Sequence, residues 1–237
     1  MRRMRAAIAA LLLLVSAAAA SASPTAAADY DSFWLWAGVK PQPVLGSAQR
    51  IYVLQSEVVA DTPVRLVAQR PAIPHIAHAE VWMVVRVQTL AWTPAIYDQV
   101  LTDLARWRDA GSRVVGIQID FDAGTRHLEG YATFLADLRR RLPADCRLGI
   151  TGLLDWSSHG DPASLRALAG VVDEVVLQIY QGRHVIPGYQ DYLAKLRRLD
   201  IPFRIGLLQG GDWDPPADLA DNPWFKGYVV FLVNAPG

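Results

Sequence analysis

The 237-residue chain holds a single cysteine, Cys146, so no disulfide can form within it. A lone cysteine beside an expected strand start reads as a small buried hydrophobe rather than a nucleophile. An excess of one charge is also missing, because 23 lysines and arginines face 23 acids. That leaves no broad basic field for a phosphate backbone, and nucleic acid is set aside as a partner. The sequence shows no glycine-rich dinucleotide turn, no internal repeat and no linker, and its one short-range histidine pair, His75-x-x-His78, lies in a proline-flanked segment before the third expected strand and reads as surface. No cofactor and no resident metal are therefore expected. A membrane-spanning run is absent too, since the longest apolar stretch, Ala6–Ala20, falls short of the roughly 20 residues a spanning helix needs.

That stretch follows Met1-Arg-Arg-Met-Arg5 and exits through Ser21-Ala22-Ser23. A basic start, an apolar core and a small-residue exit are the parts of a secretory leader. Cleavage after Ala22 or after Ala28 would suit the exit equally. We expect residues 1–28 to be leader and cleavage region, residues 29–237 to form one domain, and the product to be periplasmic or secreted. Membrane contact would come only through an uncleaved leader, and the domain is expected to be monomeric. Losing Arg2, Arg3 and Arg5 leaves 20 basic residues against 23 acids, a charge of −3 on about 210 residues. That length is ample for one core.

Eight runs rich in β-branched and aromatic residues recur: Phe33–Val39, Ile51–Glu57, Val81–Gln88, Val114–Asp122, Arg147–Asp155, Glu174–Tyr180, Phe203–Gln209 and Gly227–Val233. Nearly continuous apolar strands suit a parallel sheet covered by helices. Helical spacing with start and stop signals predicts helices over Pro94–Ala110, Leu128–Leu142, Pro162–Leu168 and Gly188–Leu199. Eight strands alternating with helices predict an α/β fold, a (β/α)8 TIM-type barrel. Between Glu57 and Val81 no amphipathic helix can be read, so the first three units are expected to be degenerate. A doubly wound open sheet is the competing fold.

The chemistry concentrates in Val115-Gly-Ile-Gln-Ile-Asp-Phe-Asp122. Strand alternation puts Gln118, Asp120 and Asp122 on one face, pointing into the barrel near its C-terminal mouth. Inward carboxylates two residues apart have Cα atoms about 6.5–7 Å apart, so in a partly dry site one of them should hold its proton. A protonated carboxyl beside an ionised one is what glycosidic bond cleavage requires. The alternative use of the pair is to bind helix N-termini or an arginine such as Arg86.

This spacing resembles the fourth-strand signature D-x-x-D-x-D-x-E of family 18 glycoside hydrolases. Val115 and Gln118 stand where that family has its first two acids, Asp120 where it has the third, and Asp122 at its general-acid glutamate. Leu177-Gln-Ile-Tyr-Gln181 is similar to the family's sixth-strand M-x-Y-D, with Tyr180 on the tyrosine and Gln181 in place of the acid. A wider similarity joins Gly116–Ala123, Ile150–Trp156, Tyr180–Arg183, Gln209–Trp213 and Gly227–Leu232 to the bacterial domain of unknown function 3142. The resemblances imply an exported barrel acting on a glycan, with substrate assistance by an N-acetyl group in place of a protein nucleophile.

On these grounds Asp122 is the expected general acid and Asp120 its charge partner. Gln118, Gln178, Tyr180, Gln181 and Arg183 are expected to hold substrate, with Asp155 and Gln209 at the same mouth. Trp36, Trp92, Trp156 and Trp213 fall at or beyond strand ends, and Trp36, Trp156 and Trp213 are the expected stacking platforms for sugar rings. Glutamines recur at the strand ends, at Gln55 and Gln88 as well, and suit a polyhydroxylated partner. His127, His159 and His184 follow three consecutive strands, and a metal-dependent deacetylase built on them is a lesser alternative. A carbohydrate-binding barrel without catalysis is the other. The expected partner in each reading is a glycan or polysaccharide.

Overall fold

The computed structural model describes residues 22–196 and 199–234; the leader expected over residues 1–28 lies outside it as far as residue 21. Eight strands form a closed parallel barrel. They are β1 (Ser32–Leu35), β2 (Arg50–Val59), β3 (Glu80–Val87), β4 (Val114–Asp120), β5 (Arg147–Leu153), β6 (Glu174–Gln178), β7 (Phe203–Leu208) and β8 (Phe225–Phe231). Each pairs with its sequence neighbour, and β1 pairs with both β2 and β8 to close the ring.

The helices lie where their signals predicted, in the middle of the chain. Helix α1 (Pro94–Asp109) opens on proline, whose fixed φ suits a first turn, and stops at Gly111, where φ is +83°. Its stripe of Ile96, Tyr97, Val100, Leu104 and Trp107 is buried against the sheet. Helix α2 (Leu128–Arg141) buries Leu128, Tyr131, Phe134, Leu135 and Leu138. After β5 come α3 (Trp156–His159) and α4 (Pro162–Ala169), the latter capped by Asp161, which accepts the Ser164 N–H at 2.8 Å. The helix expected over Gly188–Leu199 is shorter, α5 spanning Tyr189–Leu193. The early units are reduced, as expected. A 3-10 turn (Pro43–Ser47) joins β1 to β2, and an antiparallel strand, Arg65–Ala68, folds back on Ser56–Val59 where a helix would lie. Among the described residues no helix is long and apolar enough to cross a membrane.

Two apolar clusters follow from strand alternation. The larger one lies between strands and helices; the smaller one fills the barrel itself with Trp34, Tyr52, Leu54, Trp82, Val84, Val176, Tyr180, Leu208 and Val229. Indole rings fit inside because glycines face them. A Cβ at Gly149 would sit 2.9 Å from Trp82, and one at Gly206 would sit 2.7 Å from Trp34. Beneath this layer, at the N-terminal end, buried Glu174 accepts from Arg50 at 3.3 Å, from Arg204 at 2.8 Å and from the Tyr52 hydroxyl. The interior is thus aromatic in the middle, ionic at the bottom and polar at the mouth.

Candidate functional site

A cavity of about 470 Å³ opens at the C-terminal ends of the strands. Its walls include Trp36, Arg86, Asp120, Asp122, Asp155, Gln178, Tyr180, Gln181 and Phe231. It lies at the end where barrels of this type keep their active sites. A larger cavity of about 820 Å³ lies at the opposite end, around Arg50, Glu80 and Arg204, where the carboxylates are already engaged by arginines.

Asp120 is the last residue of β4 and is 9 % exposed. Its Oδ1 accepts the Thr151 hydroxyl of β5 at 2.9 Å, and that same hydroxyl oxygen accepts the Phe121 N–H at 3.3 Å. Burial pushes the Asp120 carboxyl up to about 6. The Thr151 bond opposes this, the neighbouring Asp122 charge adds to it, and Arg86 and Glu57 act in opposite directions with smaller effects. The acid of the pair that holds its proton toward neutral pH is therefore Asp120.

Asp122 sits differently from the sequence expectation. The strand expected to run to Asp122 ends at Asp120, and a tight turn follows in which the Ala123 N–H bonds the Phe121 carbonyl at 2.8 Å. Asp122 is exposed and reaches the cavity from this turn, not from the strand face it was expected to share with Asp120. The two carboxylates still meet at one cavity, one dry and one wet.

Polar groups without protein partners cluster around them. Gln118 is fully buried, takes the Trp34 indole N–H on its Oε1 at 2.7 Å, and has an unpaired Nε2. The Tyr180 hydroxyl is also unpaired, and burial, with the Asp120 charge second, holds it well above the usual phenol range. Asp155 occupies the N-cap position of α3 without capping it; its side chain lines the cavity, with Oδ1 enclosed and unpaired. An enclosed polar atom without a partner is costly; Tyr180 and Asp155 line the cavity, whereas Gln118, expected to hold substrate, is not part of its lining. Opposite lies an aromatic wall in which Phe231 touches both Trp36 and Tyr180, each at 5.5 Å between ring centres.

Several expected site residues lie elsewhere. Trp156 is 1 % exposed, donating its indole N–H to the Ala123 carbonyl at 2.8 Å, and so props the turn that carries Asp122. Trp213 is stacked on Tyr189 at 5.5 Å, and Trp92 packs against Tyr97 and Phe134. Of the four tryptophans expected around the mouth, only Trp36 lines the cavity. Large rings next to a mouth had apolar neighbours available beneath the loops, and packing took them. Gln209 donates to Gln42 of the β1–β2 connection at 2.8 Å and accepts the Val233 N–H after β8 at 2.9 Å, outside the cavity lining. Gln55 bonds Asp103 of α1 on the outer face. Arg183 is exposed on the hairpin formed by Tyr180–Gln181 and His184–Val185, outside the cavity lining. His127, His159 and His184 are exposed, and among the described residues no group of three or more His, Cys, Asp or Glu side chains is placed to hold a metal ion. Cys146 is buried and its thiol is pushed up by burial, the environment of an inert cysteine.

The sequence reading missed Thr151, Phe231 and Ile186. Thr151 could have been found by continuing the alternation of β5, which puts it on the inner face with Gly149; Phe231 and Ile186 carried no polar signal to mark them.

Comparison with known proteins follows from this geometry. A family model described as "Domain of unknown function (DUF3142)" matches residues 79–200, which covers β3 to β6 and the aspartate pair. The similar blocks at Gln209–Trp213 and Gly227–Leu232 lie beyond the matched residues. No curated protein sequence matches the chain. Among solved structures, the spore cortex-lytic enzyme SleL of Bacillus cereus superposes with a TM-score of 0.50 at 17 % identity, covering 74 % of this chain and 49 % of that one. The chain thus spans about half the length of that enzyme. A xylanase and alpha-amylase inhibitor protein of Scadoxus multiflorus superposes with a TM-score of 0.52 at 10 % identity, covering 85 % of this chain and 92 % of that one. A family 18 chitinase, ChiB of Flavobacterium johnsoniae, has a TM-score of 0.48 at 9 % identity, covering 84 % of this chain and 86 % of that one. At such identities the first two likenesses establish the barrel fold.

Proposed function

The chain belongs to the DUF3142 family, and from that premise we propose that it is an exported glycoside hydrolase-like barrel cleaving a polysaccharide or amino-sugar glycan by carboxylate acid catalysis. The observation that carries the reading is the unequal pair at the mouth: Asp120 buried, with its carboxyl raised to about 6, and Asp122 exposed at the same cavity. Cleavage needs a proton for the leaving oxygen and negative charge facing the positive sugar centre that develops. Asp120 supplies the first below about pH 6, and Asp122, exposed at the same cavity, serves the second. This division reverses the one read from the sequence, where Asp122 took the acid's place by spacing alone. Tyr180 and Gln178 face the cavity as partners for sugar hydroxyls or an acyl oxygen, and Trp36 with Phe231 offers an apolar wall to a ring face.

The experiment is to incubate the protein with a panel of polysaccharides and amino-sugar oligomers and assay new reducing ends. Asp120→Asn should lower turnover by roughly 10²–10⁴-fold, the usual contribution of general acid catalysis, with glycan affinity nearly unchanged. Unchanged turnover would remove Asp120 from the chemistry. A second reading is a barrel that grips glycan without cutting it. It is favoured by Val115 and Gln118, which stand at acid positions of the family 18 signature, and by a similar barrel being named as an inhibitor protein. Retention on a glycan column without products is its signature. Fold alone does not choose between the two, because barrels host many chemistries.

A further inference from the structure

The segment that precedes β1 is built into the barrel. Ser23 and Pro24 pair antiparallel with Trp213 and Asp212. The Thr25 N–H and hydroxyl both donate to the Gly211 carbonyl at 2.9 Å, and the Thr25 carbonyl takes the Gly210 N–H at 2.9 Å. Thr25 is 4 % exposed and Ala27 7 % exposed. The 3-10 turn Ala27–Asp29 then delivers Tyr30 edge-on to Tyr228 of β8 at 5.6 Å, and Trp213 meets the same ring at 5.6 Å. No helix is described between β7 and β8, so this part of the outer face has no helix of its own to cover it. The residues from Ser23 to Tyr30 take that place, sealing the aromatic cluster of Tyr30, Trp213, Phe225 and Tyr228.

A leader is removed as a unit, and its cleavage site must be left outside the fold that remains. Of the two small-residue exits, the one after Ala28 lies inside this strap and would discard every bond just named. The one after Ala22 lies immediately ahead of it, at an exposed residue. We propose that export processing cuts the bond between Ala22 and Ser23, and that Ser23–Tyr30 is a structural strap of the mature barrel. The proposal rests on the expected export of the chain and is independent of what the mouth binds. The step is hydrolysis of one peptide bond: water adds across it, giving a new carboxylate on Ala22 and a new amine on Ser23.

The full chain is expressed in a host with an export pathway, and the N-terminal residue of the exported protein is determined by intact mass and sequencing. Ser23 is expected. A protein starting at Asp29, or one retaining Met1, overturns the proposal. A bulky residue next to the scissile bond should block processing, so Ala22→Tyr should leave the precursor uncut while Ala28→Tyr, at another exposed position, is processed as before; the opposite result overturns it. Finally, a chain begun at Ser23 and one begun at Asp29 are compared in urea. The shorter chain should unfold at a clearly lower midpoint and bind a hydrophobic dye, and equal midpoints would show that the strap holds nothing.

Discussion

Replacing Thr151 by valine removes the hydroxyl that donates to Asp120 and, with it, the bond that hydroxyl accepts from the Phe121 N–H. The Asp120 carboxyl stands at about 6 against an ordinary 3.8, so between those two pH values the folded protein binds more protons there than the unfolded chain does. Its contribution to stability is therefore fully present below pH 3.8 and is lost as pH rises through about 6. At 1.36 kcal/mol per pH unit, the buried charge costs the fold roughly 3 kcal/mol above that window. The Thr151 hydroxyl, 2.9 Å from Oδ1, favours the ionised form. A hydrogen bond to a charged group contributes roughly 1.5–3 kcal/mol against roughly 1 kcal/mol to a neutral one, so its removal should move the Asp120 titration upward by about 0.5–1.5 pH units. The variant should lose about 1 kcal/mol at pH 5, where the carboxyl is neutral in both proteins and only ordinary bonds are lost. At pH 8 the loss should grow to roughly 1.5–3 kcal/mol in total, because the Thr151 hydroxyl no longer donates to the ionised carboxylate. Urea unfolding at the two pH values reads both numbers. Thr151→Ser should restore most of the difference, and adding Asp120→Asn should abolish its pH dependence. An equal loss at pH 5 and pH 8 would refute the assignment of the raised proton to Asp120.

Other consequences of the structure can be tested alongside. Glu174→Ala should cost about 3–5 kcal/mol in urea unfolding, because it strands Arg204 and the buried Tyr52 hydroxyl beneath the barrel core, while Arg50 keeps Glu80. Gly149→Ala should cost roughly 1–3 kcal/mol, since its Cβ would lie 2.9 Å from the Trp82 ring, and Trp82→Phe in the same chain should recover part of it. Trp36→Ala should weaken glycan retention with little change in thermal stability, whereas Trp156→Ala, deep in the fold, should lower the melting temperature sharply. Asp120→Asn, besides losing turnover, should be more stable than the native protein above pH 6, having no charge to bury.

The barrel was legible because its signals are local and repeated. Pro94 and Gly111 bound α1, Pro143 follows α2, and apolar runs name all eight strands. The position of the cavity was legible, since Asp120 follows from alternation along β4 and Tyr180 from the end of β6, whereas Gln118, on the same strand face as Asp120, is fully buried and is not part of the lining. What alternation could not give was where a strand stops. Ending β4 two residues early put Asp122 on a turn and Asp120 in the dry interior. The tryptophans failed for a different reason: a ring beside a mouth can face the cleft or the packing beneath it, and one-dimensional spacing does not separate the two. Thr151 went unnoticed because its importance lies in a bond to a residue 31 positions away.

The indole of Trp82 and the glycines it lies against also constrain how the sequence can drift. Gly116 and Gly149 each stand on a strand facing the same ring; a side chain at Gly149 would meet that ring alone, whereas one at Gly116 would also lie 2.6 Å from the Arg147 carbonyl oxygen. The tryptophan in turn cannot shrink without leaving a void in the middle of the barrel. Trp82 and Gly149 are therefore coupled, while Gly116 is held to glycine by the backbone as well. Relatives with a smaller residue at the tryptophan position should carry alanine or serine at the position of Gly149, a coupled change that would mark a lineage whose barrel has been refilled from the opposite side.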